Sequence, residues 1–465
     1  MPETASRVSQ ITRSAARLEL PRALGASHAT AIVVGTIIGS GVFLVPQEMM
    51  QAVGSPKLVY LAWIVGGLLS LFGALTYAEL GALKPEAGGE YVYIRDGYGP
   101  LLAFLYAWTW FLLAKPASIA SVTTGLMRVL GTFDIFAFLS ENAWGHPFAV
   151  TYAQLFAMLA TVLISFLNYL GVKKAGDFQL FFTMLKVLMI AAIVIIGFSS
   201  SKGSFQNFAT TFTGAKGGIA GFMVALVAAL WAYDGWNDLS MVSGEVANPR
   251  RNIPIALIAG VLIVAVLYMG VNGAVQYLLS ASTVAASPRP ASDATLLAVG
   301  SIGAAIVSAG MALSMLVTLN GTIMSGARIP FAVARDGYFF SALAHVHERF
   351  RSPSTSIVVQ AIAAILLLFM VAKFQALFSL AIFSEWLFYM IATSTVFIFR
   401  QREPNADRSY KTWGYPVVPA LFVIVAAVLL GYTFVQNLRN SVIGTLIILA
   451  GIPVFYYFAG KRRRA

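Results

Sequence analysis

The stretch His28–Val53, HATAIVVGTIIGSGVFLVPQEMMQAV, decides the fold. It is apolar, and as a helix rising 1.5 Å per residue it is long enough to cross a hydrocarbon core of about 30 Å. Its centre, Gly35-Thr36-Ile37-Ile38-Gly39-Ser40-Gly41, is a poor place for an unbroken helix. Each interior glycine costs about 1 kcal/mol of helix relative to alanine. Two readings follow. Gly35-x-x-x-Gly39 lets two helices pack closely, or the backbone opens there. Opened backbone within a bilayer is tolerated where it is buried in protein or lines a cavity. It then offers free C=O groups at the end of the first half-helix and free N–H groups at the start of the second. These are a cation site and an anion site side by side, which suits a zwitterion.

Outward from this stretch the chain is a series of similar apolar runs. Of its 465 residues 58% are hydrophobic and 11% charged, and the mean hydropathy is +0.79. Soluble domains average about 25% charged residues, so the composition predicts an all-α polytopic membrane protein. The runs are read as twelve transmembrane helices, at about 28–53, 57–82, 100–128, 149–170, 178–198, 218–244, 253–278, 294–326, 354–372, 375–399, 415–435 and 440–459. Residues 83–99 read as a polar connection, 172–174 as a short basic loop, and 327–353 as a basic loop with a helix on the inner face. The polar residues 1–27 carry Arg7, Arg13, Arg17 and Arg22, and no cleavable signal peptide is visible.

Net charge of +12 would suggest nucleic acid in a soluble chain. Here, with the N-terminus cytoplasmic, 22 of the 31 Lys and Arg fall on the cytoplasmic side, 7 on the other, and Lys115 and Lys186 lie inside spans. That is the positive-inside bias, and the basic tail 461–465 falls on the same side. No cysteine is present, which excludes disulfides and thiolate metal sites. The four histidines have no metal-ligand spacing beyond His345-x-His347, read as a solvated pair. No phosphate-binding loop or nucleophile elbow appears. The expectation is no enzyme activity, no cofactor and no metal.

The sixth run is also interrupted, at Trp231-Ala232-Tyr233-Asp234-Gly235-Trp236-Asn237. A repeat of five spans is odd, so a second copy inserts upside down, and spans 1 and 6 correspond. Interrupted helices at corresponding positions point to a transport site. The pairing favours opening of span 1 over a pure packing role. It predicts a 5+5 inverted repeat with broken spans 1 and 6, over 28–199 and 217–400, followed by two peripheral helices within 415–460.

Several side chains stand out. Asp234-Gly235 reads as an unwound strip whose backbone faces the opened span 1, with the Asp234 carboxylate capping the second half-helix. Trp231, Tyr233 and Trp236 pack, or cover a ligand at the break. Lys186 is read about eight residues into span 5, where it snorkels to the inner surface or pairs with the opened carbonyls of span 1. Glu385 lies near the middle of span 10, where it is protonated, paired or lining a pocket. Lys115 precedes Pro116, which frees a carbonyl one turn back, and reads as a structural pair at a kink. Glu79 and Glu245 sit at inner span ends and read as structural or gating charges.

These residues bring a family into view. Gly35–Phe43, the segment Tyr77-Ala78-Glu79-Leu80-Gly81 with Pro85, Gly88-Gly89, Tyr91 and Tyr93, and Trp231–Asn237 followed by Glu245 and Asn248-Pro249 resemble the amino acid–polyamine–organocation superfamily. Within it the L-type amino acid transporter branch is similar, bacterial serine/threonine exchangers above all, and Lys115-Pro116 matches that branch. The resemblance implies a leucine-transporter-type core. It implies that a substrate α-carboxylate meets N–H groups around Ser40, Gly41 and Val42. The α-amine would meet carbonyls of Ile37, Trp231, Ala232 and Asp234. Trp231 falls at the family's aromatic gate, and Lys186 where sodium-independent members carry a lysine. Tyr233, Thr318, Asn320 and Glu385 fall near the implied pocket.

The expected function is sodium-independent exchange of L-amino acids, neutral ones foremost, across a bacterial inner membrane, with both termini cytoplasmic. The outer loop between spans 3 and 4 has no cysteine, so no disulfide-linked heavy chain is expected. Proton-coupled symport through Glu385 or Lys186 is the nearest rival. A channel would need a continuous polar pore, and a sensor an added soluble domain.

Overall fold

The computed structural model describes residues 18–139, 151–370, 374–436 and 438–464. Arg7, Arg13 and Arg17 of the N-terminal segment, residues 140–150 from the connection between spans 3 and 4 into span 4, and Ala465 of the basic tail lie outside the described residues. Within them the chain is all-helical, apart from one isolated bridge between Leu24 and Val246.

The first apolar stretch forms two helices, α1 (Ala26–Ile37) and α2 (Gly41–Val53). Ile38 leaves α1 in extended conformation, at φ −75° and ψ 94°, so the helix opens within the glycine-rich centre. The packing reading holds for one glycine as well. A Cβ on Gly35 would lie 2.6 Å from Thr183 Oγ1 and 3.0 Å from Val317 Cγ1, so α1 packs closely on its neighbours there.

Next come α3 (Pro56–Leu83), α4 (Glu90–Tyr98), α5 (Pro100–Thr109) and α6 (Lys115–Leu130), with a π-helical stretch, Trp110–Ala114, between the last two. Thus the connection 83–99, read as polar, contains a helix. Then follow α7 (Tyr152–Tyr169) and α8 (Val172–Ser199). The basic loop expected at 172–174 is instead the first turn of α8: Gly171, at φ +115°, ends the preceding turn and the helix begins at once.

The sixth apolar run gives α9 (Gly218–Ala232), a five-residue opening, and the short α10 (Asp238–Met241). Gly235 has φ +107°, a conformation that side chains rarely adopt. A Cβ there would also lie 3.0 Å from the carbonyl carbon of Thr36. The opening of the sixth run therefore rests directly on the end of α1, and the Thr36 hydroxyl donates to Gly235 O at 2.8 Å.

The rest includes α11 (Pro249–Leu278), α12 (Ser301–Gly326), α13 (Arg328–Arg335), α14 (Ser354–Met370), α15 (Phe374–Arg402), α16 (Val417–Gln436) and α17 (Leu438–Arg464), with two short helices, Ala281–Ala286 and Pro290–Val299, between α11 and α12. The run read as one span over 294–326 is divided at Gly300, φ +77°. Among the described residues nine helices are long and apolar enough to cross a membrane, and α9 and α14 are shorter apolar helices. The chain is a multi-pass membrane protein.

One end of the bundle is tied by charge. Arg328 and Glu245, both fully buried, pair at 2.7 Å, and Glu79 takes Arg400 at 2.7 Å and Arg408 at 3.1 Å. Breaking one partner of such a buried pair costs about 3–5 kcal/mol. Leu24, just before α1, bonds to the backbone of Glu245 and Ala247. These contacts hold the start of α1 against the end of the sixth run.

Candidate transport site

The two helix openings face one cavity between α1/α2 and α9/α10, closed at the sides by α6, α12 and α15. Ile37, Ser40 and Gly41 line it from the first opening, and Trp231, Ala232 and Asp234 from the second. Thr318 and Glu385 line it too. The N-terminus of α2 and the C-terminal ends of α1 and α9 thus border the same space. A helix N-terminus favours an anion and a C-terminus a cation, so the cavity is polarised for a zwitterion.

Lys186 lies under the cavity rather than in its wall. It is fully buried, and its ammonium donates to Gly35 O and to Ile38 O, each at 2.7 Å. The snorkelling reading therefore falls. The helix begins six residues earlier than read, so Lys186 sits 14 residues in, about 21 Å along α8. The Thr318 hydroxyl reaches the same two carbonyls, at 3.2 and 3.3 Å. The acceptors left where α1 opens are held from two helices at once.

Two expected side chains lie elsewhere. For Val42 the expectation concerned the N–H, which lies in the first turn of α2 next to Gly41, and its side chain is buried in the core. The Tyr233 ring packs away from the cavity against Trp63 and Tyr268, with centroids 5.7 and 5.1 Å apart. Asn320 is two residues from Thr318, about 200° around the helix. It donates to Gln179 Oε1 at 2.7 Å and Ala175 O at 3.1 Å, and accepts from Asn168 at 2.8 Å. It joins α12 to α7 and α8. Trp236, singled out at the break, packs edge-on against Tyr77, with centroids 4.8 Å apart, and does not line the cavity.

The Asp234 carboxylate does not cap the short helix, whose N-cap residue is Asn237. It accepts from the Tyr389 hydroxyl at 2.9 Å and faces the cavity. Lys115 forms a buried ion pair with Asp238, and both line the cavity. Glu385 has no hydrogen-bond or ion-pair partner among the described residues.

Several wall residues escaped the sequence reading: Trp110, Ser118, Ser121, Asn237, Thr322 and Tyr389. Trp110 opens the π-helical stretch Trp110–Ala114, which contains Leu112, whose carbonyl Pro116 frees, so that carbonyl was the available signal; such bulges recur at functional sites. Tyr268 escaped as well. Its hydroxyl lies 2.8 Å from Ala232 O and 3.1 Å from Ile37 O, across the ends of both half-helices.

A multi-span helical bundle with a polar cavity formed at two paired helix openings defines a membrane carrier. The chain matches the profile of the family described as amino acid permease over residues 24–458, and it belongs to that family. It is similar to the serine/threonine exchanger SteT of Bacillus subtilis (strain 168), with 33% identity covering 96% of this chain and 98% of that one. It is 30% identical to the human cystine/glutamate transporter, over 95% of this chain and 86% of the other. Against the rabbit b(0,+)-type amino acid transporter 1 the identity is 31%, over 84% and 79%. The protein is thus a membrane transporter of amino acids and not an enzyme.

Proposed function

We propose that this chain is a sodium-independent exchanger of L-amino acids, neutral ones foremost, in a bacterial cytoplasmic membrane. The observation that carries the reading is the single cavity bordered by the α2 N-terminus and by the carbonyl ends of α1 and α9. Ser40 and Gly41 would receive the carboxylate, and the carbonyls of Ile37, Trp231, Ala232 and Asp234 the amine. Trp231 would cover the ligand. The Lys186 ammonium supplies, as part of the chain, the positive charge that a bound sodium ion would otherwise bring to the opened carbonyls. A permanent charge there suits exchange, because no ion has to enter or leave with the substrate.

The architecture that fits is twelve spans, with 28–199 and 217–400 as inverted repeats that rock around the cavity and 415–460 at the periphery. Both termini would be cytoplasmic, and the Glu245–Arg328 pair with the Leu24 contacts would then form an inner gate. The likeness to the serine/threonine exchanger of Bacillus subtilis supports exchange and small hydroxylated substrates. No cysteine exists anywhere in the chain to join a heavy chain by a disulfide, so we read it as working alone.

The reading is tested by competition for uptake into proteoliposomes. Decarboxylated amines and des-amino acids should compete at least about tenfold more weakly than the parent amino acid, because each lacks one charge-assisted partner. Equal competition by putrescine or agmatine would contradict the reading.

A second reading, proton-coupled symport, draws on the Glu385 carboxylate in the cavity wall, which has no partner among the described residues. Glu385→Gln separates the two. If Glu385 selects side chains, the variant changes the ranking of substrates by about tenfold, the scale of one hydrogen bond to a charged group. If it couples protons, the pH dependence of uptake disappears and the ranking stays.

A further inference from the structure

Glu90 is fully buried and has no ion-pair partner among the described residues. The turn at Gly88-Gly89, with φ +105° and +47°, carries the chain inward, and Glu90 opens α4. Its carboxylate is satisfied by three neutral donors from three different segments. Tyr77 of α3 donates to Oε1 at 2.9 Å, Tyr106 of α5 to Oε2 at 2.5 Å, and Asn237 Nδ2 to Oε1 at 3.0 Å. Asn237 belongs to the opening of the sixth run and lines the cavity; Glu90 does not.

An ionised carboxylate only accepts hydrogen bonds. Asn237 must therefore turn its NH2 to Glu90 and its carbonyl oxygen the other way. There Oδ1 lies 3.3 Å from the Tyr389 hydroxyl, and the same hydroxyl lies 2.9 Å from Asp234 Oδ1. Tyr389 has one hydrogen to give. Two acceptors at the cavity wall share it, and the nearer, charged Asp234 takes it, which leaves Asn237 Oδ1 as an acceptor for a further donor.

We propose that Glu90 is a positioning residue that holds Asn237 Oδ1 toward the cavity as an acceptor, and so biases the site toward amino acids whose side chain carries a hydrogen-bond donor. The proposal rests on the reading of the cavity as the substrate site. Threonine and valine are the sharpest pair, since they differ by a hydroxyl in place of a methyl. A site that leaves a buried polar group unpaired rejects the analogue lacking the donor. Glu90→Gln offers an NH2 to Asn237. The Asn237 amide then turns, presents Nδ2 to Tyr389, and the acceptor is withdrawn from the cavity side.

The experiment measures kcat/KM for threonine and for valine in proteoliposomes, for wild type, E90Q and the double variant E90Q/N237D. In the double variant the new amide at position 90 donates to a carboxylate at position 237, and an acceptor again faces Tyr389. We expect wild type to prefer threonine by about tenfold or more, E90Q to lose most of that preference, and E90Q/N237D to regain it. A purely structural role would lower both substrates in parallel and leave their ratio unchanged. An unchanged ratio in E90Q overturns the proposal, as does a wild type that takes both alike. If E90Q accumulates too poorly to assay, the double variant carries the test: a retained preference supports the proposal and an absent one overturns it. A wild type that transports no amino acid contradicts the proposed function instead, so the two failures are distinct.

Discussion

Lys186→Ala is expected to lower transport at least about 100-fold while the chain still inserts and folds. The ammonium makes two charge-assisted hydrogen bonds, to Gly35 O and Ile38 O at 2.7 Å each. Such bonds contribute about 1.5–3 kcal/mol apiece, and 1.4 kcal/mol corresponds to a factor of ten. Without Lys186, one hydroxyl hydrogen from Thr318 remains for two buried carbonyls. The end of α1 then loses its fixed position, and with it the carbonyl of Ile37 and the N–H groups of Ser40 and Gly41. Uptake and equilibrium binding in detergent check this together. Near-normal binding and transport by the variant would contradict the role given to the lysine. Lys186→Arg is no conservative rescue, because a planar fork cannot place one charged centre between two carbonyls as an ammonium does.

Gly41→Val is expected to abolish binding with less effect on stability. A Cβ at Gly41 would lie 3.0 Å from Ala232 Cβ and 3.1 Å from Ala232 Cα, so the two openings touch there. Valine adds two further methyl groups at the point where a carboxylate would approach the backbone. Overpacking of this kind costs about 1–3 kcal/mol of stability, while the ligand loses the whole anion side of its site. A thermal-unfolding measurement with and without amino acid separates the two effects. The variant should unfold at a somewhat lower temperature and show no shift on adding substrate. A normal ligand-induced shift would mean that the carboxylate sits elsewhere.

Both predictions concern features legible in the sequence for simple reasons. Three glycines and a serine in seven residues weaken a helix by local propensity alone, and a lone lysine in an apolar run stands out by its cost. Asp234-Gly235 was visible as a second break because glycine at φ +107° leaves a trace in the sequence. What depends on direction around a helix was less legible. Thr318 and Asn320 differ by about 200° in heading, so one lines the cavity and the other ties α12 to α7 and α8. Lys173 and Lys174 read as a loop by charge, although the first turn of a helix at a membrane surface carries charge equally well. Least legible were the nonlocal polar contacts. Nothing local to Glu90, Asn237 or Tyr389 says that they meet, since they come from three separate segments and only the packed bundle joins them.

The most direct test of the central claim is amino-acid uptake by the purified wild-type protein in proteoliposomes, in sodium and in choline buffer, with and without amino acid inside. Uptake should run at the same rate in both buffers and depend on internal amino acid. In this reading Lys186 holds the opened carbonyls of α1 permanently, and the returning substrate resets the carrier. A strict requirement for sodium would contradict the account.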